Sequence, residues 1–255
     1  MARITPIVRV PVALAIGVVS VLVVAAPATA VSSPPQSSDG YDISRPQCGG
    51  PFPDSPAFGI VGVTSGLPFN DNPCLADEFA WAAGAPSEPA FYFNTANPGA
   101  QSSHWSDPGP KPCGGDSDDL GCAYNYGYNA AGQAFAYAMA QTGGAAGHSW
   151  WLDVETSNSW SANPDVNVVD IEGVLEYLRA QPGVSAGIYS TKRQWNQITD
   201  GASFPSLPNW VAGAGDADEA RDFCDPAYSF TGGPVELVQY PAGPYNADHA
   251  CPTDE

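Results

Sequence analysis

Short apolar runs alternate along this chain with longer stretches in which apolar residues recur every third or fourth position. The first pattern predicts strands and the second helices, because side chains repeat about every 2 residues on a strand and about every 3.6 on a helix. Predicted strands are Gly40–Ser44, Phe58–Thr64, Pro89–Asn94, Trp150–Glu155, Ser185–Ser190, Pro208–Ala212 and Val235–Tyr240, with an abbreviated eighth near Ala247–Ala250. Between them, Pro73–Gly84 carries Leu75, Phe79 and Ala82 on one helical face. Tyr124–Gln141 carries Tyr128, Ala131, Phe135 and Ala138, and Val166–Gln181 carries Val169, Val174, Leu175 and Leu178. A short helix passes through Trp195 and Ile198. Gly84, Gly143-Gly144 and Pro182-Gly183 supply the stops.

Strands alternating with helices are the signature of parallel βα units. The predicted fold class is α/β, a (β/α)8-type TIM barrel with short or missing late helices. A doubly wound sheet is the competing architecture. It needs fewer strands and usually a Gly-rich phosphate loop, which the chain lacks. The segment Ala96–Cys122 breaks the rhythm. It is rich in Gly, Pro, Asp and Ser, and a loop of that length within a domain is usually functional or disordered.

The first residues change the picture of where the chain resides. Arg3 and Arg9 precede an apolar stretch from Val10 to Ala26, and Ala28-Thr29-Ala30 has the form of a cleavage site, so 1–30 reads as a secretory signal peptide. Residues 31–39 read as a disordered Ser/Pro-rich leader, and 40–255 as a single domain. With 8 Lys and Arg against 27 Asp and Glu, the net charge is −19. Such a balance argues against nucleic acid and anionic membrane surfaces and suits solubility outside the cell. The expected product is a secreted monomer. Six cysteines in an exported chain read as disulfides. Order along the chain suggests Cys48–Cys74, Cys113–Cys122 and Cys224–Cys251, out of about fifteen possible pairings.

Chemistry concentrates in Ser149-Trp-Trp-Leu-Asp-Val-Glu-Thr156. Asp153 and Glu155 are spaced i, i+2, so both point to one side of a strand with Cα atoms about 7 Å apart. Neighbouring acids raise each other's affinity for protons, which suits a general acid beside an anion. Functional residues of a barrel stand at the C-terminal strand ends. Asp42 and Asp248 fall in the first and last candidate strands, so four carboxylates converge on one mouth. Tyr92, Tyr189, Trp210 and Tyr240 lie at or near strand ends, where aromatic faces can hold pyranose rings; a place in the barrel core is the competing reading for each. No metal or cofactor is expected. The chain has no Cys-x-x-Cys pair, no His pair at helical spacing and no Asp-x-Asp-x-Asp-Gly loop, and Gly115-Asp-Ser-Asp-Asp119 reads as a solvated loop. A serine hydrolase elbow is also missing.

Seven motifs in order carry a resemblance: Tyr41-Asp-Ile-Ser44, Val61-Gly-Val-Thr-Ser-Gly66, Phe91-Tyr-Phe93, Leu152-Asp-Val-Glu155, Gly187-Ile-Tyr-Ser190, Asn209-Trp-Val-Ala212 and Val238-Gln-Tyr240. Over roughly residues 40 to 250 the chain resembles glycoside hydrolase family 25, the lysozymes (N-acetylmuramidases), and more narrowly secreted actinobacterial family-25-like proteins. The resemblance implies a barrel with incomplete helices and cleavage of the β-1,4 bond after N-acetylmuramic acid in peptidoglycan or another N-acetylated glycan. Glu155 matches the proton donor, Asp153 its partner acid and Asp42 the first-strand aspartate. Asp248 matches the late aspartate in altered surroundings, Tyr245-Asn-Ala-Asp-His249. Asp153 is expected to stay ionised and to hold the substrate's N-acetyl group. Ser65 stands where the family commonly has an acid, and the long Cys-bearing loop is a further departure. The alternative is therefore a glycan-binding protein that kept the barrel and lost turnover.

Overall fold

A computed structural model describes residues 39–252. The signal peptide and leader lie outside the described residues, except for Asp39, which opens the first strand. Eight strands close into one barrel in sequence order. They are β1 (Asp39–Ile43), β2 (Gly59–Gly62), β3 (Ala90–Asn94), β4 (Ser149–Asp153), β5 (Ser185–Ser190), β6 (Asn209–Ala212), β7 (Val235–Ala242) and β8 (Tyr245–Ala250). The helices are α1 (Leu75–Ala82), α2 (Leu120–Thr142), α3 (Pro164–Arg179), α4 (Lys192–Thr199) and α5 (Ala217–Asp222). They follow β2, β3, β4, β5 and β6, so β1 and β7 have no α-helix after them. Neighbouring strands from β1 to β7 pair in parallel, whereas β8 runs antiparallel to both β7 and β1. Its reversal follows from the connection: Ala242 pairs with Tyr245, leaving only Gly243 and Pro244 in the turn, with Gly243 at φ +67°.

Alternation assigns two faces to every strand. Val61, Phe91, Trp150, Leu152, Ile188, Val211 and Val238 point outward into the layer beneath the helices. Ile60, Trp151 and Trp210 fill the barrel interior, with Tyr92, Tyr189 and Leu237 against them. The adjacent tryptophans of β4 thus serve opposite sides. Trp150 packs on Phe91 and Phe135, and Trp151 on Trp210 with ring centroids 5.9 Å apart. Trp151 fits because its neighbour Gly187 has no side chain; a Cβ there would lie 2.3 Å from the indole.

The three disulfides pair as chain order suggests. Helix α2 begins four residues earlier than the apolar periodicity predicts, because Asp119 caps it, accepting from the Cys122 amide at 2.9 Å. The segment before it is ordered by Trp105, buried beside the Cys113–Cys122 bond. Asn125 adds a two-way clamp on the Lys111 backbone at 2.8 and 2.9 Å. Among the described residues, no helix is long and apolar enough to cross a membrane.

Candidate active site

The carboxyl ends of the parallel strands open onto a cleft of about 500 Å³ lined by residues including Ser44, Arg45, Thr64, Tyr92, Asn94, Asp153 and Glu155. Asp153 is the last residue of β4, and Glu155 follows on the same side after the outward-facing Val154. Asp42, on β1, is 8 % exposed.

Each acid is held by a neutral amide. The Thr64 hydroxyl donates to Asn94 Oδ1 at 2.8 Å, which fixes the amide so that its Nδ2 donates to Asp153 Oδ2. The other oxygen, Asp153 Oδ1, has no hydrogen-bond partner among the described residues. Gln239 Nε2 donates to Asp42 at 2.8 Å, while Gln239 Oε1 accepts from the Tyr189 hydroxyl at 2.9 Å. Gln194 reaches Glu155 Oε1 from α4 at 3.4 Å, and its own oxygen accepts from the Thr156 amide at 2.6 Å and hydroxyl at 2.9 Å. The backbone carbonyl of Glu155 accepts from Trp160 Nε1 at 2.8 Å.

Burial sets the electrostatics. It pushes Asp42 from 3.8 to about 7, against the opposing hydrogen bonds from Gln239 and Asn246. Asp153 rises well above the ordinary carboxylate range, first by burial and then by the nearby Glu155 carboxylate. The expectation that Asp153 stays ionised therefore runs against its surroundings in the free protein: an anion there has lost its water and faces another acid.

The remaining residues singled out from sequence divide by face and depth. Tyr92 lines the cleft, and Tyr189 donates to Gln239, the partner of Asp42. Asp248 sits below the mouth. Because β8 runs antiparallel, its register places Asn246 opposite Asp42 and Asp248 opposite Gly40, nearer the barrel floor. There Asp248 is fully buried and accepts from Trp210 Nε1 at 2.8 Å. Trp210 is likewise sealed inside, and Tyr240 points outward, packed with Val238 and Ala247. The structure thus brings Asp153, Glu155 and Tyr92 together at the cleft, with Asp42 buried near Glu155, and does not bring Asp248, Trp210 or Tyr240 to its surface. Asn94, Thr64, Gln194, Gln239 and Arg45 escaped the sequence reading. Alternation held the signal for two of them: Asn94 ends a predicted strand in phase with Tyr92, and Gln239 shares the inward phase of Leu237.

Comparison with known proteins agrees with this geometry. The family model described as lysozyme-like protein 1 matches residues 122–230. A probable GH family 25 lysozyme 3 of Dictyostelium discoideum is 32% identical over 84 residues, covering 32% of this chain and only 17% of that relative's length. Among solved structures, the muramidase from Trichobolus zukalii superimposes with a TM-score of 0.57 at 17% identity, over 85% of this chain and 94% of that one. The bacterial lysozyme from Streptomyces coelicolor gives 0.57 at 17% identity, over 85% and 93%. The family GH25 lysozyme from Aspergillus fumigatus gives 0.54 at 16%, over 86% and 95%. At these identities the structures establish a shared barrel fold, and the local sequence matches make residues within it similar to lysozyme-like and family 25 lysozyme sequences.

Proposed function

We propose that the chain is a secreted glycoside hydrolase that cleaves β-1,4 bonds in peptidoglycan, with Glu155 as general acid and Asp153 as its partner. The observation that carries this reading is that Asp153 and Glu155 line one polar cleft with Asp42 buried close by, each acid with a neutral amide beside it. Glycoside hydrolysis needs an acid to protonate the leaving oxygen and a nucleophile or anion at the sugar carbon. Three disulfides and the signal-like first thirty residues support export.

In the proposed mechanism Asp153, whose proton affinity is raised by burial, stands beside Glu155. A substrate N-acetyl group donates its N–H to the Asp153 carboxylate at the cleft, and Glu155 enters the reaction as the acid. Glu155 gives its proton to the glycosidic oxygen as the C–O bond breaks, and the acetamido oxygen bonds to the sugar carbon. Water then adds at that carbon, returns a proton to Glu155 and releases the acetamido oxygen. The net change is one water across one glycosidic bond.

The test is digestion of purified peptidoglycan by wild type and Glu155→Gln, read by new reducing ends and product masses. Wild type is expected to release fragments ending in N-acetylmuramic acid. Glu155→Gln should keep its fold and lose about 10²–10⁴-fold in rate. A variant as active as wild type removes Glu155 from the role. A second reading, glycan binding without turnover, is favoured by Ser65, whose hydroxyl is spent on the Asp71 carbonyl at 2.9 Å and offers the cleft no acid. Binding to peptidoglycan without released ends is its mark.

A further inference from the structure

Arg45 lines the cleft, where the other charged lining residues are Asp153 and Glu155. In a chain with 8 basic residues against 27 acids, a cation at this place needs a reason. Arg45 is not among the causes that shift Asp42 and Asp153, which are burial, hydrogen bonds and neighbouring carboxylates. Nor does it join the ion pairs found among the described residues, His104–Asp107, Arg221–Asp218 and His249–Asp39. Its side chain makes no hydrogen bond there either.

The backbone that presents Arg45 is well fixed. Residues Arg45–Gln47 form a 3-10 turn capped by Ser44, whose amide donates to Gln47 Oε1 at 3.0 Å. Pro46 stiffens the turn, and the Cys48–Cys74 bond ties the next residue to the start of α1. An exposed guanidinium without a partner, on a rigid turn at the edge of a sugar-sized cleft, is suited to gripping a planar anion through two parallel N–H bonds.

We propose that Arg45 is a specificity-determining residue that pairs with a carboxylate on a substituent of the glycan, so that the cleft favours carboxylate-bearing N-acetylated glycans over neutral ones. This rests on the glycan-cleaving reading above. Asp153 and Glu155, which line the same cleft, would repel such a carboxylate. Arg45 therefore fixes which way round the chain lies, with the charged substituent toward the 3-10 turn and the scissile bond toward Glu155.

The experiment compares native peptidoglycan with peptidoglycan whose carboxylates have been amidated by carbodiimide and methylamine. Wild type is expected to lose about tenfold in kcat/KM on amidation, a charge-assisted pair's contribution. Arg45→Gln should lose about the same on native substrate and show no difference between the two substrates; Arg45→Lys should recover part of the preference. Equal losses by Arg45→Gln on both substrates, or none on either, overturn the proposal. If wild type releases no reducing ends at all, the hydrolase reading fails separately, and co-sedimentation with the same two preparations decides the role of Arg45. Tighter binding of wild type to the native form, abolished in Arg45→Gln, supports it; equal binding overturns it.

Discussion

Replacing Asp42 by Asn isolates what burial of this acid costs. Its proton affinity rises from 3.8 to about 7, with desolvation the largest cause. Folded protein therefore keeps the Asp42 proton over a pH range in which unfolded chain has lost it. More protons bound in the native state means that stability falls as pH rises, here from about 4 up to 7, and levels off above. About three pH units at about 1.4 kcal/mol each give ~4 kcal/mol of destabilisation at pH 8 and under ~1 kcal/mol at pH 4. Asn has nearly the same shape and keeps an oxygen for Gln239, but an imperfectly paired amide costs about 1–3 kcal/mol at either pH. Asp42→Asn should thus stabilise the fold by about 1–3 kcal/mol at pH 8 and be neutral or destabilising at pH 4. Asp42 also raises Asp153 and Asp248, so its removal acts on them in the same direction. Urea unfolding of both proteins at the two pH values measures this directly. The same ΔΔG at pH 4 and pH 8 would refute the reasoning, since only a titrating group produces the difference. A gain in stability with loss of activity is the expected combination for an acid kept at a site against its solvation preference.

Further expectations follow from single contacts. Gly62→Ala puts a Cβ 2.5 Å from Ser44 Cβ and 2.9 Å from Tyr92 Cζ; it should cost about 1–3 kcal/mol in urea unfolding and raise KM as Tyr92 shifts in the cleft. Gln194→Ala frees the Glu155 carboxylate and the Thr156 backbone; kcat should fall by at least about tenfold with KM little changed, because orientation of the acid matters in the transition state. Replacing Cys113 and Cys122 by Ser opens a loop with a sequence separation of 9. Chain entropy predicts a loss of about 2.6 kcal/mol in chemical unfolding, less than the ~3.5 kcal/mol expected for either longer bridge.

The barrel was legible because each strand carries its own alternation and each early helix its own stop. Trp150-Trp-Leu-Asp shows both faces at once, apolar outward and acid inward at the end. Local pattern misled wherever direction was decided by a partner. Asp248 occupies a strand, as predicted, but the two-residue turn at Gly243-Pro244 reverses that strand, so moving along it from Asn246 to Asp248 descends into the barrel. Tyr240 drew attention as an aromatic near a strand end, yet its phase matches Val238 and not Leu237, so the inward place belongs to Gln239. Alternation places Asn94 and Gln239 on the inward face, but nothing in the sequence pairs them or Gln194 with a particular acid. Asn94, Gln194 and Gln239 lie 59, 39 and 197 residues from their acids in the chain, and strand pairing, helix packing and barrel closure respectively bring them together.

The floor of the cleft connects the packing to the chemistry. Tyr92 and Tyr189 meet Trp210 with ring centroids at 6.0 and 4.6 Å, and Trp151 meets it at 5.9 Å. These rings fill the barrel and so stabilise it by removing apolar surface from water. The same rings deny water to the acids around them, and desolvation is the first cause of the raised proton affinity at Asp42, Asp153 and Asp248 alike. An anion on this floor is costly, so Asp42, Asp153 and Asp248 hold their protons beyond the ordinary carboxylate range, while Glu155 lines the cleft beside Asp153. The aromatic core therefore sets the proton affinity of these acids, and the amides of Asn94 and Gln239 are what keep the carboxyls of Asp153 and Asp42 from being left entirely without partners.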